Sequence, residues 1–208
     1  MNRALLIVDV QNDFCESGSL EVKNANKIIP IINNLIKSEY FNFIIATKDW
    51  HPRNHKSFAS NHKNKNVYDV IKLNGIEQVL WPDHCIQRTK GSMLHEDLKL
   101  HRGFKIITKG KNPEVDSYSG FYDNDHKTST GLTAYLNKKN ISEVYIAGLA
   151  TDYCVKFTAL DSVSEGFKTY LFKDAVKGVN VKKDDSKKAI DEMRTAGVKI
   201  ITSKRNLK

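Results

Sequence analysis

The chain has 208 residues, of which 40% are hydrophobic, so it is long enough to bury a sizeable core. Its net charge is +9, but the lysines are spread along the whole chain without an arginine-rich cluster, so we do not expect a nucleic-acid partner. No apolar run approaches the roughly 20 residues that span a bilayer, and residues 1–10 lack the features of a signal peptide; we therefore expect a cytoplasmic protein without membrane association.

Short apolar segments alternate with segments of helical periodicity along the chain. A near-continuous apolar strand at 3–10 precedes a helical face formed by Ile28, Ile29, Ile32, Leu35 and Ile36. The remaining predicted elements are, in order, strands at 43–47 and 104–108, a helix at 128–139, a strand at 144–147, a helix at 152–166, a strand at 169–172, a helix at 184–196 and a strand at 198–201. This alternation predicts an α/β fold with about six strands in one open, mostly parallel sheet.

One stretch breaks the alternation. Residues 49–90 are polar, rich in His and Asn, and show no clear period. Loops this long are uncommon inside a compact domain and are usually functional. Because no repeat or linker divides the chain, we expect one domain of residues 1–208, with residues 49–90 as an insertion loop.

Reactive side chains fall at or just after four of the predicted strands. Asp9 ends the first strand, Asp49 follows the second, Lys109 follows the third, and Cys154 follows the fourth after a short turn. Ligands of open parallel sheets bind beyond the carboxyl ends of the strands, so these residues are expected to share one edge. A thiol, a carboxylate and an ammonium form a set suited to nucleophilic catalysis.

The three cysteines, Cys15, Cys85 and Cys154, are too few and too scattered for a disulfide framework. Each can be a packing residue, a metal ligand or a nucleophile. Cys154 falls in the first turn of a predicted helix, whose N-terminus would lower the thiol pKa. The simpler alternative is a buried packing thiol, which is also how we interpret Cys85.

A second cluster contains Asp49, His51, His55 and His84. On an extended backbone Asp49 and His51 point to the same side, and a distant His would complete a three-ligand site with open positions. Pro52 argues against a regular helix that carries both His51 and His55, and whether His55 is a fourth ligand stays open. The alternative is a polar loop whose histidines are hydrogen-bonded.

Five ordered segments carry a resemblance to a known family. They are LIVDVQNDF at 6–14, DWHP at 49–52, WPDHC at 81–85, SYSGF at 117–121 and GLATDYCV at 148–155. Together they resemble nicotinamidases, members of the isochorismatase-like hydrolase superfamily. The resemblance implies a three-layer α/β/α sandwich and hydrolysis of nicotinamide, a small-molecule substrate, to nicotinate and ammonia in NAD salvage.

The resemblance also implies roles for individual residues. Cys154 would be the nucleophile that forms a thioester, Asp9 the general acid and base, and Lys109 the third member of the triad. A cis peptide would join Leu149 to Ala150, and the amides of Ala150 and Cys154 would form an oxyanion hole.

By the same resemblance, Asp49, His51 and His84 would bind one divalent metal ion, which orients the pyridine ring. Zinc is the first expectation, and iron and manganese tolerate the same ligands. The aromatic residues that would sandwich the ring are Phe14, Trp81 and Tyr118, for which the alternative is core packing. Activity on pyrazinamide and assembly into a homo-oligomer are compatible with the sequence, which decides neither.

Two other functions stay open. Another amidohydrolase of the superfamily, acting on a ureido or carbamoyl compound, would share the triad but generally lack the metal-binding segment. A metal- or thiol-dependent sensor would keep the pocket without turnover, although such a protein usually loses its nucleophile.

Overall fold

The computed structural model of the chain describes residues 2–101 and 103–204. The predicted domain of residues 1–208 also includes residues 1, 102 and 205–208, which lie outside the described part. The strands are β1 (Asn2–Val8), β2 (Phe43–Asp49), β3 (Val70–Leu73), β4 (Ile76–Val79), β5 (Lys105–Lys109), β6 (Ile141–Leu149), β7 (Lys168–Lys177) and β8 (Lys199–Ile201). The helices are α1 (Ile29–Lys37), α2 (Leu132–Lys138), α3 (Lys156–Ser164) and α4 (Asp185–Thr195).

Six strands form one sheet in the order β5-β2-β1-β6-β7-β8, and every neighbouring pair is parallel. The strand alternation predicted this sheet, and the prediction is confirmed. The strands extend somewhat beyond the predicted apolar runs in β6 and β7, because their ends continue to pair after the apolar pattern stops.

The sheet is covered on both faces, as the three-layer prediction requires. Side chains of β1 alternate between two core clusters: Leu5 and Ile7 pack on the face covered by α1, whereas Leu6 and Val8 pack on the face covered by α2, α3 and α4. All of these β1 side chains are fully buried. This two-sided burial explains the near-continuous apolar run in the sequence.

The central strands approach each other closely where the site begins. Val8 pairs with Gly148 across β1 and β6, and Gly148 has a φ of +124°. A Cβ at this position would lie 2.1 Å from the Val8 carbonyl oxygen, so only glycine fits.

The insertion at residues 49–90 contains more regular structure than the predicted loop. β3 and β4 form an antiparallel hairpin, which is a separate two-stranded sheet. The sequence shows no alternation here because most of the hairpin side chains are exposed or half-buried, so apolar residues are not required on one face.

The segment around Cys154 also differs from the prediction. Residues Thr151–Val155 form a π-helical turn, and α3 starts only at Lys156. Single π turns are often found at functional sites. In the part of the chain that the structure describes, no helix has the length and apolar character needed to cross a membrane.

Candidate active site

The carboxyl edge of the sheet brings the reactive residues together. Asp9 directly follows β1, Asp49 and Lys109 are paired at the ends of β2 and β5, and Cys154 lies in the turn after β6. These strands are adjacent, so residues far apart in the sequence meet at one edge, as the spacing along the chain predicted.

Lys109 is the centre of this cluster, and its side chain is fully buried. Its Nζ atom lies 3.0 Å from Asp9 Oδ2 and 2.6 Å from Asp49 Oδ1. The same ammonium group lies 3.4 Å from Cys154 Sγ and donates a hydrogen bond of 2.6 Å to the Ser117 carbonyl oxygen. One buried cation therefore contacts both carboxylates and the thiol.

The buried charges shift one another's protonation. Burial alone would lower the pKa of Lys109, but Asp49 and Asp9 outweigh it and raise the pKa well above its usual value. Burial would raise the pKa of Asp49, yet the charges of Lys109 and His51 hold it below its usual range. For Asp9, burial is the largest effect and raises the pKa to about 6, although Lys109 opposes the shift. Asp49 is thus a permanent carboxylate, whereas Asp9 can exchange a proton near neutral pH.

The expected lowering of the Cys154 pKa is wrong for this structure. Burial raises the pKa of the thiol well above its usual value; Lys109 opposes this shift, and the charges of Asp9 and Asp49 add to it. The helix-terminus effect is outweighed because the sulfur is desolvated and lies close to two carboxylates. Cys154 is therefore a protonated thiol at rest and needs a base to become a nucleophile.

Two buried polar side chains position the carboxylates, and the sequence analysis did not single them out. Thr47 Oγ1 donates a hydrogen bond of 2.6 Å to Asp9 Oδ1. The Gln11 amide accepts from the Asp49 backbone N–H at 2.7 Å and donates to the Asp49 carbonyl oxygen at 2.8 Å. The sequence signals for these residues were that Gln11 belongs to the QNDF segment and that Thr47 is a polar residue in the predicted second strand.

Asp49, His51 and His84 form a cluster whose possible ligand atoms all lie within 4.8 Å of one another. His51 Nδ1 lies 2.8 Å from the Gly110 carbonyl oxygen, and His84 Nδ1 lies 2.8 Å from the Pro82 carbonyl oxygen. A carbonyl accepts, so each ring donates from Nδ1, which leaves Nε2 as the ligand atom of that ring. The residues present thus fit a divalent metal ion.

His55 lies beside this cluster. Its ring lies 4.3 Å from that of His51, but the Ser57 backbone N–H donates to His55 Nδ1 at 3.2 Å. Its Nδ1 atom also lies 2.7 Å from Ser57 Oγ, and burial lowers the pKa of His55 to about 4, so the ring is neutral near pH 7. The buried Nε2 atom has no hydrogen-bond partner among the described residues, and His55 also belongs to a second group of possible metal ligands, with His51 and Asp116.

The three aromatic residues expected around a substrate line one cavity beside Cys154. Phe14, Trp81 and Tyr118 share this cavity with Ala150 and Cys154. The peptide bond between Leu149 and Ala150 is cis, as the resemblance implied.

Tyr153 is a fourth aromatic residue of this cavity, and the sequence analysis missed it. Its ring centroid lies 4.7 Å from that of Trp81 and 5.4 Å from that of Tyr118. Its only sequence signal is that it precedes Cys154.

A model of the isochorismatase domain matches residues 3–205, nearly the whole chain. The chain belongs to the isochorismatase family. Within this family it is similar to the nicotinamidase of Acinetobacter baylyi, with 46% identity over 98% of this chain and 94% of the relative.

Solved structures of family members have the same fold. A nicotinamidase/pyrazinamidase of Acinetobacter baumannii has a TM-score of 0.93 and 46% identity, covering 97% of this chain and 96% of that one. The pyrazinamidase of Pyrococcus horikoshii in complex with zinc has a TM-score of 0.80 and 38% identity, covering 97% and 99%. The similarity extends across both the sheet and the insertion, so it is not confined to the core of the isochorismatase fold.

An outer groove adjoins the cavity in this isochorismatase-family chain. Tyr118 and Tyr153 line both spaces. The groove is also lined by the hairpin residues Val70 and Val79 and by Lys188 of α4. The two tyrosines are therefore shared between the cavity beside Cys154 and the groove.

Proposed function

We propose that the chain hydrolyses nicotinamide to nicotinate and ammonia in NAD salvage, through a thioester on Cys154. The observation that carries this proposal is the buried contact of Lys109 with Asp9 and Cys154, beside three residues that fit a metal ion. The similarity to nicotinamidases over nearly the whole chain supports the same substrate.

The first half of the reaction forms the thioester. Asp9 accepts the proton of the Cys154 thiol, and the sulfur attacks the carboxamide carbon to form the S–C bond. The backbone N–H groups of Ala150 and Cys154 donate to the oxygen that becomes negative. Asp9 then returns its proton to the amine nitrogen, the C–N bond breaks, and ammonia leaves.

The second half releases nicotinate. Asp9 accepts a proton from water, and the hydroxyl oxygen attacks the thioester carbon. The C–S bond breaks, Asp9 returns the proton to the sulfur to restore the Cys154 thiol, and the released acid gives up its carboxyl proton to solvent, which leaves nicotinate. Throughout, the Lys109 ammonium stabilises the negative charge that moves between Asp9 and the sulfur, since it contacts both.

Asp49, His51 and His84 would hold one divalent metal ion. When bound, this ion supplies a Lewis-acid contact for the pyridine nitrogen and so orients the carboxamide. We propose zinc, as in the P. horikoshii pyrazinamidase complex, with iron and manganese as the alternatives. Asp49 serves both parts of the site, because one of its oxygens accepts from Lys109 while the other lies 3.7 Å from His51 Nε2.

The aromatic residues would hold the substrate ring. Phe14, Trp81 and Tyr118 line the cavity beside Cys154, where a planar heteroaromatic ring can pack against them. A pyrazine carboxamide has the same shape, so pyrazinamide is proposed as a second substrate.

The remaining expectations are part of the same proposal. We treat residues 1–208 as one domain whose insertion at 49–90 supplies metal ligands. The three free cysteines suit a reducing compartment, in agreement with a cytoplasmic enzyme. Nucleic-acid and membrane partners are not expected, and assembly into a homo-oligomer is compatible with the sequence, which does not decide it.

The test measures ammonia and nicotinate released from nicotinamide by the purified wild-type protein, the Cys154→Ala variant and the Cys15→Ala variant. Cys15 is a buried thiol in the core and serves as the matched control. We expect Cys154→Ala to lose at least about a thousandfold in kcat and to retain the metal ion, because the covalent step is lost while the ligands remain. Cys15→Ala should stay within about threefold of wild type.

A chelator arm tests the metal ion. Removal of the ion should lower the rate with nicotinamide, and adding back zinc, iron or manganese identifies the ion that restores it. Near-full ammonia release by Cys154→Ala would refute the thioester mechanism. Release from an N-carbamoyl compound without release from nicotinamide would instead identify the related amidohydrolase.

A further inference from the structure

Gln78 is a buried polar residue on an otherwise exposed hairpin. It lies in β4 and is 2% exposed, whereas its neighbour Glu77 is exposed. A glutamine that is almost fully removed from water needs hydrogen-bond partners, so its contacts indicate which groups its side chain positions.

The Gln78 side-chain amide joins the hairpin to the active-site cavity. Its Nε2 atom lies 3.0 Å from Asp116 Oδ2, 3.0 Å from Tyr118 Oη and 2.7 Å from the Val79 carbonyl oxygen. The Asp116 carboxylate can only accept, so the NH₂ end of the amide must face this cluster. Asp116 and Tyr118 both line the cavity that contains Cys154.

Tyr118 is held from two sides by this arrangement. Its phenol oxygen accepts from Trp81 Nε1 at 3.2 Å and lies 3.0 Å from Gln78 Nε2, whose two N–H groups are shared among Tyr118, Asp116 and the Val79 carbonyl oxygen. Among the described residues, no acceptor is found for the Tyr118 hydroxyl proton. The ring is also confined by Tyr153 and Phe157, each with a centroid distance of 5.4 Å. Gln78 thus helps to set where one wall of the cavity stands.

We propose that Gln78 is a positioning residue for substrate binding, which acts by fixing the Tyr118 ring and the Asp116 carboxylate. This inference rests on the proposed function, because Tyr118 is taken there as a wall for the substrate ring. The hairpin thereby contributes to the site through one side chain, although its remaining residues are exposed or half-buried. Loss of the amide would let Tyr118 turn and would weaken ring binding before it affects the thiol chemistry.

The test compares steady-state kinetics with nicotinamide for wild type, Gln78→Leu and Glu77→Ala. For Gln78→Leu we expect KM to rise about tenfold and kcat to stay within about threefold. The exposed neighbour variant Glu77→Ala should leave both unchanged. A loss of folded protein would lower the apparent kcat but not KM. A rise in KM at nearly constant kcat therefore distinguishes a positioning role from an effect on stability. If Gln78→Leu does not fold, Gln78→Met replaces it, because methionine has about the same side-chain length as glutamine.

A double-mutant cycle shows whether Gln78 acts through Tyr118. In a Tyr118→Phe background, Gln78→Leu should change KM by less than about threefold, because the hydrogen bond is already absent. An unchanged KM in Gln78→Leu, or the same tenfold rise in both backgrounds, would overturn the positioning role while the proposed function stands. Absence of ammonia release from nicotinamide by wild type would overturn both.

Discussion

Replacement of Gly110 by alanine should weaken metal binding at least about tenfold, although Gly110 is not proposed as a ligand. Gly110 follows Lys109 at the end of β5 with a φ of +63°, and its carbonyl oxygen accepts from His51 Nδ1. An alanine Cβ would lie 2.3 Å from His51 Cε1 and 2.6 Å from His51 Nδ1. Carbon atoms in contact prefer about 3.5–4.0 Å, so the ring or the backbone must move by more than about 1 Å.

This displacement is large compared with the tolerance of a metal site. Zinc–nitrogen bonds are about 2.0–2.1 Å long, and ligand distances vary by only about 0.2 Å. Changes to residues that orient a ligand usually cost about 10–100-fold in metal affinity. We therefore expect Gly110→Ala to bind zinc at least about tenfold more weakly than wild type, as measured by competition with a zinc-chelating dye.

The matched control is Gly131→Ala. Gly131 also has a left-handed backbone, with a φ of +88°, but an added Cβ would meet no atom within 4 Å. Both variants carry the left-handed strain of about 1–2 kcal/mol, so both should have a lower Tm, and only Gly110→Ala should lose metal affinity. A zinc affinity within twofold of wild type for Gly110→Ala would refute this account of the site.

Three further predictions concern the carboxylates. Asp9 must be ionised to accept the thiol proton, and burial raises its pKa to about 6. Below about pH 6, kcat/KM should therefore fall about tenfold per pH unit, and a flat profile down to pH 5 would contradict this. Thr47→Val removes the hydrogen bond that lowers the Asp9 pKa, so the acid limb of the same profile should move to higher pH, whereas Thr47→Ser should not move it. Gln11→Leu leaves the buried backbone N–H and carbonyl of Asp49 without their side-chain partner. It should lower the free energy of unfolding, measured in urea, by about 1–3 kcal/mol, and an unchanged urea midpoint would show that Gln11 is not needed for stability.

Much of the fold was predictable from the sequence because it depends on local patterns. A parallel strand buried on both faces must be apolar along its length, as β1 is, and a helix that covers the sheet must repeat its apolar residues with helical spacing, as α1 does. The hairpin of β3 and β4 was not predictable in this way, since exposed strands need no apolar face.

The meeting of Asp9, Asp49, Lys109 and Cys154 was likewise predictable, because each lies at or soon after the end of a strand and parallel strands end at one edge. The five ordered motifs indicated the family, which the match over residues 3–205 confirms. These inferences require only the order of residues along the chain.

The protonation and orientation of the site were decided by the tertiary structure alone. The raised pKa of Cys154 reflects burial beside two carboxylates, and the lowered pKa of His55 reflects burial beside the His51 ring. Gln78 gains its place beside Tyr118 only because the hairpin packs against the segment that carries Asp116 and Tyr118. Desolvation and hydrogen-bond direction depend on which atoms surround a group in space, and the residue order along the chain does not contain that information for contacts between distant segments.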